Sequence, residues 1–122
     1  MTTTVQDIGR YLEQQLRAKG REAVMTYGDL LRVFDDLPPF TEAWAAHPLC
    51  DMFETLDIED AALNRPFRTA VVVSQADGLP GGGFFKMYVA YRDPQARVRS
   101  DIDRLTVHQL ELRAAAAYYG HP

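Results

Sequence analysis

Residues 67–91, FRTAVVVSQADGLPGGGFFKMYVAY, decide the fold class that the sequence predicts. The β-branched run at residues 67–74 predicts a buried strand, and the aromatic-rich run at residues 84–91 predicts a second strand. The glycine-rich stretch between them, at residues 77–83, is typical of a hairpin loop. We therefore expect a β-hairpin in the second half of the chain.

The segments before this hairpin have helical periodicity. Apolar residues recur at spacings of three and four over residues 5–16, with Thr4 as a candidate N-cap and Gly20 as a stop signal, which predicts a first helix. Thr26 is placed to cap a short second helix. Prolines at positions 38 and 39 end that helix, and a third helical segment is predicted over residues 41–64, interrupted or restarted at Pro48.

A final helix is predicted over residues 100–119 and ends at Gly120. Its inward positions are predicted to be Ile102, Leu105, Leu112, Ala115 and Ala116. Three N-terminal helices, a hairpin and a C-terminal helix make an α+β fold, and the first five elements match the winged-helix layout.

The chain has 122 residues, of which 47% are hydrophobic, and no linker divides it, so we expect a single domain over residues 1–122. No apolar run approaches the roughly 18 residues of a membrane span, and the N-terminus lacks the order of a signal peptide. We therefore expect a cytoplasmic protein with no membrane partner. The single cysteine, Cys50, fits a reducing compartment.

Charge is distributed unevenly along the chain. Residues 29–60 carry nine of the seventeen acids and only one of the thirteen Lys and Arg residues, Arg32, so this segment has a formal charge of −8. Clustered charge of one sign raises the rate of encounter with a partner of the opposite sign, and it repels nucleic acid. The predicted partner is a basic protein. The candidate contact residues are eight acids and two aromatic anchors: Asp29, Asp35, Asp36, Asp51, Glu54, Asp57, Glu59, Asp60, Trp44 and Tyr27.

A catalytic thiol is the first alternative. His47, Cys50 and Asp51 lie within one helical turn, so a thiolate beside an imidazole is geometrically possible. However, a lone cysteine beside Leu49 and Phe53 is more often a small buried apolar residue. We predict no catalytic residue. The three histidines have no metal-ligand spacing and the acids lack the EF-hand pattern, so neither a metal nor a cofactor is predicted.

The glycines of residues 78–83, followed by Phe84, Phe85 and Lys86, could cradle a phosphate. A phosphate loop normally precedes a helix, whereas the residues that follow here are strand-like, which favours a flexible hairpin. Basic and aromatic residues interleave across the hairpin, as in a nucleic-acid-binding wing. The third helical segment has six acids and no Lys or Arg, which disfavours its insertion into a major groove.

Four segments resemble the winged-helix domain of alkyltransferase-like proteins: residues 25–30 (MTYGDL), 47–50 (HPLC), 69–74 (TAVVVS) and 77–84 (DGLPGGGF). That family has a tyrosine-glycine turn before a helix and a glycine-rich segment near its active site. Its Pro-Cys-His-Arg core is missing here, and Cys50 lies upstream of the strand where that core would be needed. The resemblance implies a shared scaffold without alkyl transfer.

Most of the chain is similar to the immunity proteins encoded beside secreted polymorphic toxins of bacteria, including contact-dependent growth inhibition systems. The likeness rests on small size, acidity and the segment TAVVVSQADGLPGGGF at residues 69–84. It implies a protein that neutralises a cognate toxin, in many cases a nuclease with a basic surface that the acidic segment would complement. The sequence thus predicts a non-enzymatic toxin inhibitor. The alternatives are a winged-helix-like nucleic-acid-binding protein and a small enzyme that uses Cys50.

Overall fold

The computed structural model describes residues 2–39 and 47–120. Within these ranges the chain forms five α-helices and one small parallel sheet of two strands, so the fold is α+β with helices dominating. The elements, in chain order, are α1 (Val5–Lys19), a 3₁₀ turn (Gly20–Ala23), β1 (Met25–Thr26), α2 (Tyr27–Val33), α3 (Pro48–Ala62), a second 3₁₀ turn (Arg68–Val71), β2 (Val72–Val73), α4 (Gly82–Met87), a π-helical turn (Tyr88–Arg92) and α5 (Asp101–Gly120).

The first two helices begin at the predicted caps. The Thr4 side chain accepts a hydrogen bond from the Asp7 N–H, and the Asp7 carboxylate accepts one from the Thr4 N–H. Thr26 and Asp29 form the same reciprocal pair at the start of α2. Such a capping box satisfies backbone donors that the helix leaves unpaired, and an N-cap contributes about 1 kcal/mol. The prediction of both helix starts is confirmed.

The third helix begins at Pro48, which occupies its first turn. Proline suits this position because its missing N–H would have no partner there. His47 is the N-cap, and its Nδ1 accepts a hydrogen bond from the Leu49 N–H at 3.1 Å. The start predicted at Thr41 lies outside the described residues. Pro48 therefore starts the part of the helix that is described.

The predicted β-hairpin is wrong. Residues 68–71 form a 3₁₀ turn, and only Val72 and Val73 of the first predicted strand are extended. They pair in parallel with β1, with Met25 opposite Val72. The residues of the second predicted strand form α4 and the π-helical turn. In the described ranges β2 pairs with β1 alone, and no later strand follows it to form a hairpin. The winged-helix layout is therefore not confirmed.

Aromatic packing explains why the second predicted strand is a helix. Phe84 and Tyr88 are four residues apart, and their rings stack with centroids 6.4 Å apart, which is the contact that a helical turn provides. Phe84, Phe85 and Met87 are all buried. Strict alternation along a strand would have placed Phe84 and Phe85 on opposite faces. In the helix, both contribute to one apolar cluster with Phe67.

The centre of the fold is the 3₁₀ turn Arg68–Val71. All four of its residues are buried, and it packs against α1, α3 and α5. Arg68 approaches α1 at Gly9, where a Cβ atom would lie 2.6 Å from the guanidinium Nη1 and 2.9 Å from Cδ2 of Leu56. Glycine at position 9 thus lets a buried arginine pass against the helix backbone.

The last helix has the predicted extent but a different buried face. Leu112, Ala115 and Ala116 are buried as predicted, whereas Ile102 and Leu105 are 76% and 50% exposed. The buried positions of α5 begin at Val107, because its first turns extend past the core. Within the described ranges, none of the helices is both long enough and apolar enough to cross a lipid bilayer.

Candidate functional site

The ten predicted contact residues do not share one environment. Five of the acids are exposed: Asp29, Asp35, Asp36, Asp51 and Glu54. Tyr27 and Glu59 are half-buried, and Trp44 lies outside the described residues. Asp57 and Asp60 are only 1% and 0% exposed. The expectation that these last two belong to an acidic surface is therefore wrong, because both carboxylates lie inside the protein.

Two of the exposed acids have local structural roles. Asp29 caps α2 and forms an ion pair with Arg32 at 2.8 Å. Asp36 accepts hydrogen bonds from the N–H and the hydroxyl of Thr3. These hydrogen bonds lower the pKa of both carboxyls. Both acids therefore hold local structure as well as carrying charge.

The other three exposed acids differ from these two because they have no ion-pair partner in the described part of the chain. Asp35, Asp51 and Glu54 form no ion pair with any other residue in ranges 2–39 and 47–120. Asp51 and Glu54 are three residues apart on α3, so they lie on the same helical face. This part of α3 presents two free carboxylates to solvent.

Asp60 is the anchor of a buried ion-pair network. Its Oδ1 accepts from Nε of Arg65 at 2.6 Å and from Nε of Arg68 at 3.1 Å, and its Oδ2 accepts from the Arg68 backbone N–H at 3.0 Å. Glu59 accepts from the outer guanidinium nitrogens of the same two arginines. Asp60 thus has partners on both oxygens, and the network fixes the chain between α3 and the central 3₁₀ turn.

Asp57 is buried with far fewer partners. Its Oδ1 accepts a hydrogen bond from Oγ1 of Thr69 at 2.6 Å, and Thr69 is its one hydrogen-bond partner in the described part of the chain. Burial raises the pKa of Asp57 well above its ordinary value, and the nearby carboxylates of Asp60 and Glu111 add to this effect. The Thr69 hydrogen bond and the Arg68 guanidinium act in the opposite direction, but they offset only part of this increase in the pKa of Asp57.

Asp57 and Thr69 line a cleft of about 130 Å³ between α3 and α4. Glu54 and Lys86 line the same cleft and are exposed, so they form its rim, whereas Asp57 forms its floor. Several apolar and aromatic side chains make the walls: Tyr27, Phe53, Phe84 and Met87. A buried carboxylate with one free oxygen thus lies at the bottom of an apolar cleft with a charged rim.

A larger cavity of about 410 Å³ adjoins this cleft. It lies at the carboxyl ends of β1 and β2, where Thr26 and Ser74 line it, and it shares Tyr27 and Gly81 with the cleft. The Gly81 N–H donates a hydrogen bond to the Tyr27 hydroxyl at 2.9 Å where the two spaces meet. The carboxyl ends of parallel strands are a common place for ligands in α/β sheets.

Cys50 also lines the cleft, but its surroundings do not activate it. Burial raises the pKa of the Cys50 thiol, and Asp51 and Glu54 raise it further. A nucleophilic thiolate needs a lowered pKa. The two ring nitrogens of His47 are engaged elsewhere, since Nδ1 accepts from the α3 backbone and Nε2 donates to the Pro38 carbonyl at 2.7 Å. His47 therefore holds the start of α3.

The basic residues expected on a hairpin wing are partly internal. Arg65 and Arg68 belong to the Asp60 network, and Arg92 pairs with the buried Glu111, with Nε to Oε2 at 3.1 Å. The glycine-rich stretch does lead into a helix, contrary to the strand expected there, but α4 has only six residues. Within the described ranges, no group of three or more His, Cys, Asp or Glu side chains is placed to hold a metal ion.

Sequence reasoning missed the combination of Asp57, Thr69 and Lys86. One signal was present: Asp57 and Asp60 follow Phe53 by four and seven residues, which is the spacing of the apolar helical face. The helical spacing of this segment was therefore enough to predict that both acids face the core. The approach of Thr69 and Lys86 depends on tertiary packing, and no local pattern indicates it.

No protein-family model, curated protein or solved structure matches the chain.

Proposed function

We propose that this chain is an immunity protein, a non-enzymatic inhibitor that binds a basic toxin domain, most simply a nuclease. The observation that carries the proposal is that Asp35, Asp51 and Glu54 are exposed and form no ion pair within ranges 2–39 and 47–120. Asp51 and Glu54 repel each other on their shared face of α3, so this face gains free energy when a cationic surface covers it. A nuclease surface that binds phosphates has this complementary charge.

The proposal now rests on fewer acids than the sequence suggested. Asp57 and Asp60 are buried, and Glu59 is paired with Arg65 and Arg68, so these three acids contribute little to a solvent-facing surface. Asp51 and Glu54 are the best candidates for direct contact, because they are exposed on one face of α3 beside the cleft. Charges at such a rim govern the association rate more than the lifetime of a complex.

A double charge reversal tests this function. Asp51→Lys with Glu54→Lys should slow association with the toxin domain encoded by the neighbouring gene by at least about tenfold at low salt, and it should abolish protection of cells that make that toxin. Stopped-flow association and a growth assay measure these effects. Both side chains are exposed, so the fold should persist, which circular dichroism checks.

The matched control reverses two exposed acids on other elements, Glu22→Lys in the first 3₁₀ turn with Asp101→Lys at the start of α5. Its net charge is the same as that of the test variant, so a general charge effect would slow both variants equally. Equal loss of binding in the two variants, or full protection by the α3 variant, would contradict the role of Asp51 and Glu54.

The two alternatives have less support. A winged-helix-like nucleic-acid-binding protein needs a wing, and the residues expected to form it are helical at 82–92. A small enzyme that uses Cys50 needs an activated thiol, and burial and neighbouring acids raise the pKa of this one. Both remain proposals of lower rank than toxin inhibition.

A further inference from the structure

The floor of the cleft between α3 and α4 is an unusual place for a carboxylate. Asp57 is 1% exposed, and one threonine hydroxyl is its sole hydrogen-bond donor in the described part of the chain. An ionised carboxylate accepts hydrogen bonds at both oxygens, so Oδ2 has unused acceptor capacity. A buried charge that lacks partners destabilises a fold, and residues of this kind concentrate at binding and catalytic sites.

The cleft itself sets the shape of a complementary group. Its volume of about 130 Å³ is roughly ten times the minimum that admits one water molecule. Its walls are largely apolar, with the rings of Phe53 and Phe84 among them. A group that fits must therefore be flat or slender, have an apolar stem, and end in hydrogen-bond donors that reach Asp57.

The charges favour a cation. Glu54 and Lys86 at the rim offset each other formally, so the carboxylate at the floor determines the net charge of the cleft. A guanidinium group satisfies every requirement, because it is planar, carries five donors, stacks on aromatic rings and is weakly hydrated compared with an ammonium group. Its three-carbon stem would lie along the apolar walls.

We propose that this cleft receives one arginine side chain of the partner protein, with its guanidinium group against Asp57. The inference rests on the proposed function for the source of the arginine, and it adds to that function a buried anchor point beside the exposed acids. Fully desolvated arginines in pockets are typical of the few contacts that dominate the affinity of an interface. Asp51 and Glu54 would then guide the partner, and Asp57 would set the lifetime of the complex.

The cleft can be tested without a toxin. N-acetyl-L-arginine amide is titrated into the ¹⁵N-labelled protein, with N-acetyl-L-citrulline amide as a neutral probe of the same shape and N-acetyl-L-lysine amide as a different cation. The arginine probe should shift the amide signals of Asp57, Thr69 and Gly83 with a roughly millimolar Kd, the range for a single side chain. The citrulline probe should bind at least about tenfold more weakly, since a neutral urea group loses the charge-assisted bond.

Three variants locate the site. Asp57→Asn keeps the shape of the floor and removes its charge, and it should weaken the arginine probe by at least about tenfold. Gly83→Leu should block the cleft, because Gly83 lines it and has open space at its Cβ position. Gly82→Leu is the matched control: its Cβ position is also open, but Gly82 is not among the lining residues.

The outcomes separate this inference from the proposed function. Equal binding of citrulline and arginine, stronger binding of lysine, or unchanged binding by Asp57→Asn would overturn the arginine site while leaving toxin inhibition intact. If the protein binds the arginine probe selectively but neutralises no toxin, the arginine site is supported, and the toxin is ruled out as the source of the arginine. In a toxin complex, Gly83→Leu should shorten the lifetime and Gly82→Leu should not.

Discussion

Asp57 and Asp60 are the two buried acids of α3, and they differ in the number of donors around them. Asp60 accepts from both Arg65 and Arg68, whereas Asp57 accepts from Thr69 alone among the described residues. Removing one member of such a buried ion-pair network is strongly destabilising, because its partners are left buried without compensation. A buried charge with a single neutral partner destabilises the fold at neutral pH.

The same substitution should therefore have opposite effects at these two positions. Asp57→Asn should raise the free energy of unfolding at pH 7 by at least about 1 kcal/mol, because it removes a poorly solvated charge and keeps the acceptor for Thr69. Asp60→Asn should lower it by about 3–5 kcal/mol, because it leaves two guanidinium groups with a weakened partner. Urea unfolding measures both values.

The pH dependence provides an internal check on Asp57. The pKa of Asp57 is raised in the folded state from an ordinary value of 3.8. Asp57 therefore does not reduce the free energy of unfolding below pH 3.8, and the reduction grows as the pH rises from 3.8 through the folded-state pKa. The advantage of Asp57→Asn should vanish near pH 3.8 and increase toward neutrality. A constant difference across this range would show that the gain comes from packing and not from charge.

His108 should give the opposite pH slope. Its Nε2 donates to the Ala70 carbonyl at 2.8 Å, and its Nδ1 is buried without a partner among the described residues. Burial lowers the pKa of His108 from 6.5, so below that pH the unfolded chain binds a proton that the folded chain excludes. Stability should fall with decreasing pH by at most about 1.4 kcal/mol per pH unit. In His108→Gln this loss between pH 6.5 and 5 should disappear.

At the scale of elements, replacing a glycine with alanine should have opposite effects on stability in α1 and in α4. Gly9→Ala should lower the free energy of unfolding by more than about 1 kcal/mol, because the new methyl group would overlap Arg68 and Leu56 inside the core. Gly83→Ala should raise it by roughly 0.5–1 kcal/mol, because the Cβ position is open and alanine favours a helix. Thermal unfolding of the two variants measures both. A stabilising Gly9→Ala would mean that Arg68 can move away at little cost.

The helices were predictable where local chemistry determines them. Thr4 and Thr26 supply caps and Pro48 supplies a start, and each acts within one turn of its own position. Residues 84–91 were not predictable in this way, because a short run of aromatic and β-branched residues suits a strand and a buried helix equally well. The packing of Phe84 against Phe67 and Tyr88 decides between the two, and this packing is tertiary.

At the scale of the whole molecule, the negative net charge was visible in the sequence but its placement was not. Composition gives residues 29–60 their formal charge of −8. In the fold, however, Asp57 and Asp60 are buried, and Glu59 forms an ion pair with Arg65. The sequence therefore predicted that the candidate site is negatively charged and that its acids come from residues 29–60. The division into an exposed rim and a buried floor follows from the docking of α4 on α3, which no linear pattern specifies.

The small parallel sheet joins distant parts of the chain, since Met25 pairs with Val72 and Thr26 with Val73. Closing so long a loop for a two-residue ladder is entropically unfavourable unless the helices have already brought the ends together. We expect this sheet to form after the folding transition state. Val72→Ala should accelerate unfolding and leave the folding rate nearly unchanged in stopped-flow experiments. The space at the carboxyl ends of these strands, and with it the wall that Tyr27 shares with the cleft, would then be the last part of the molecule to assemble and the first to be lost.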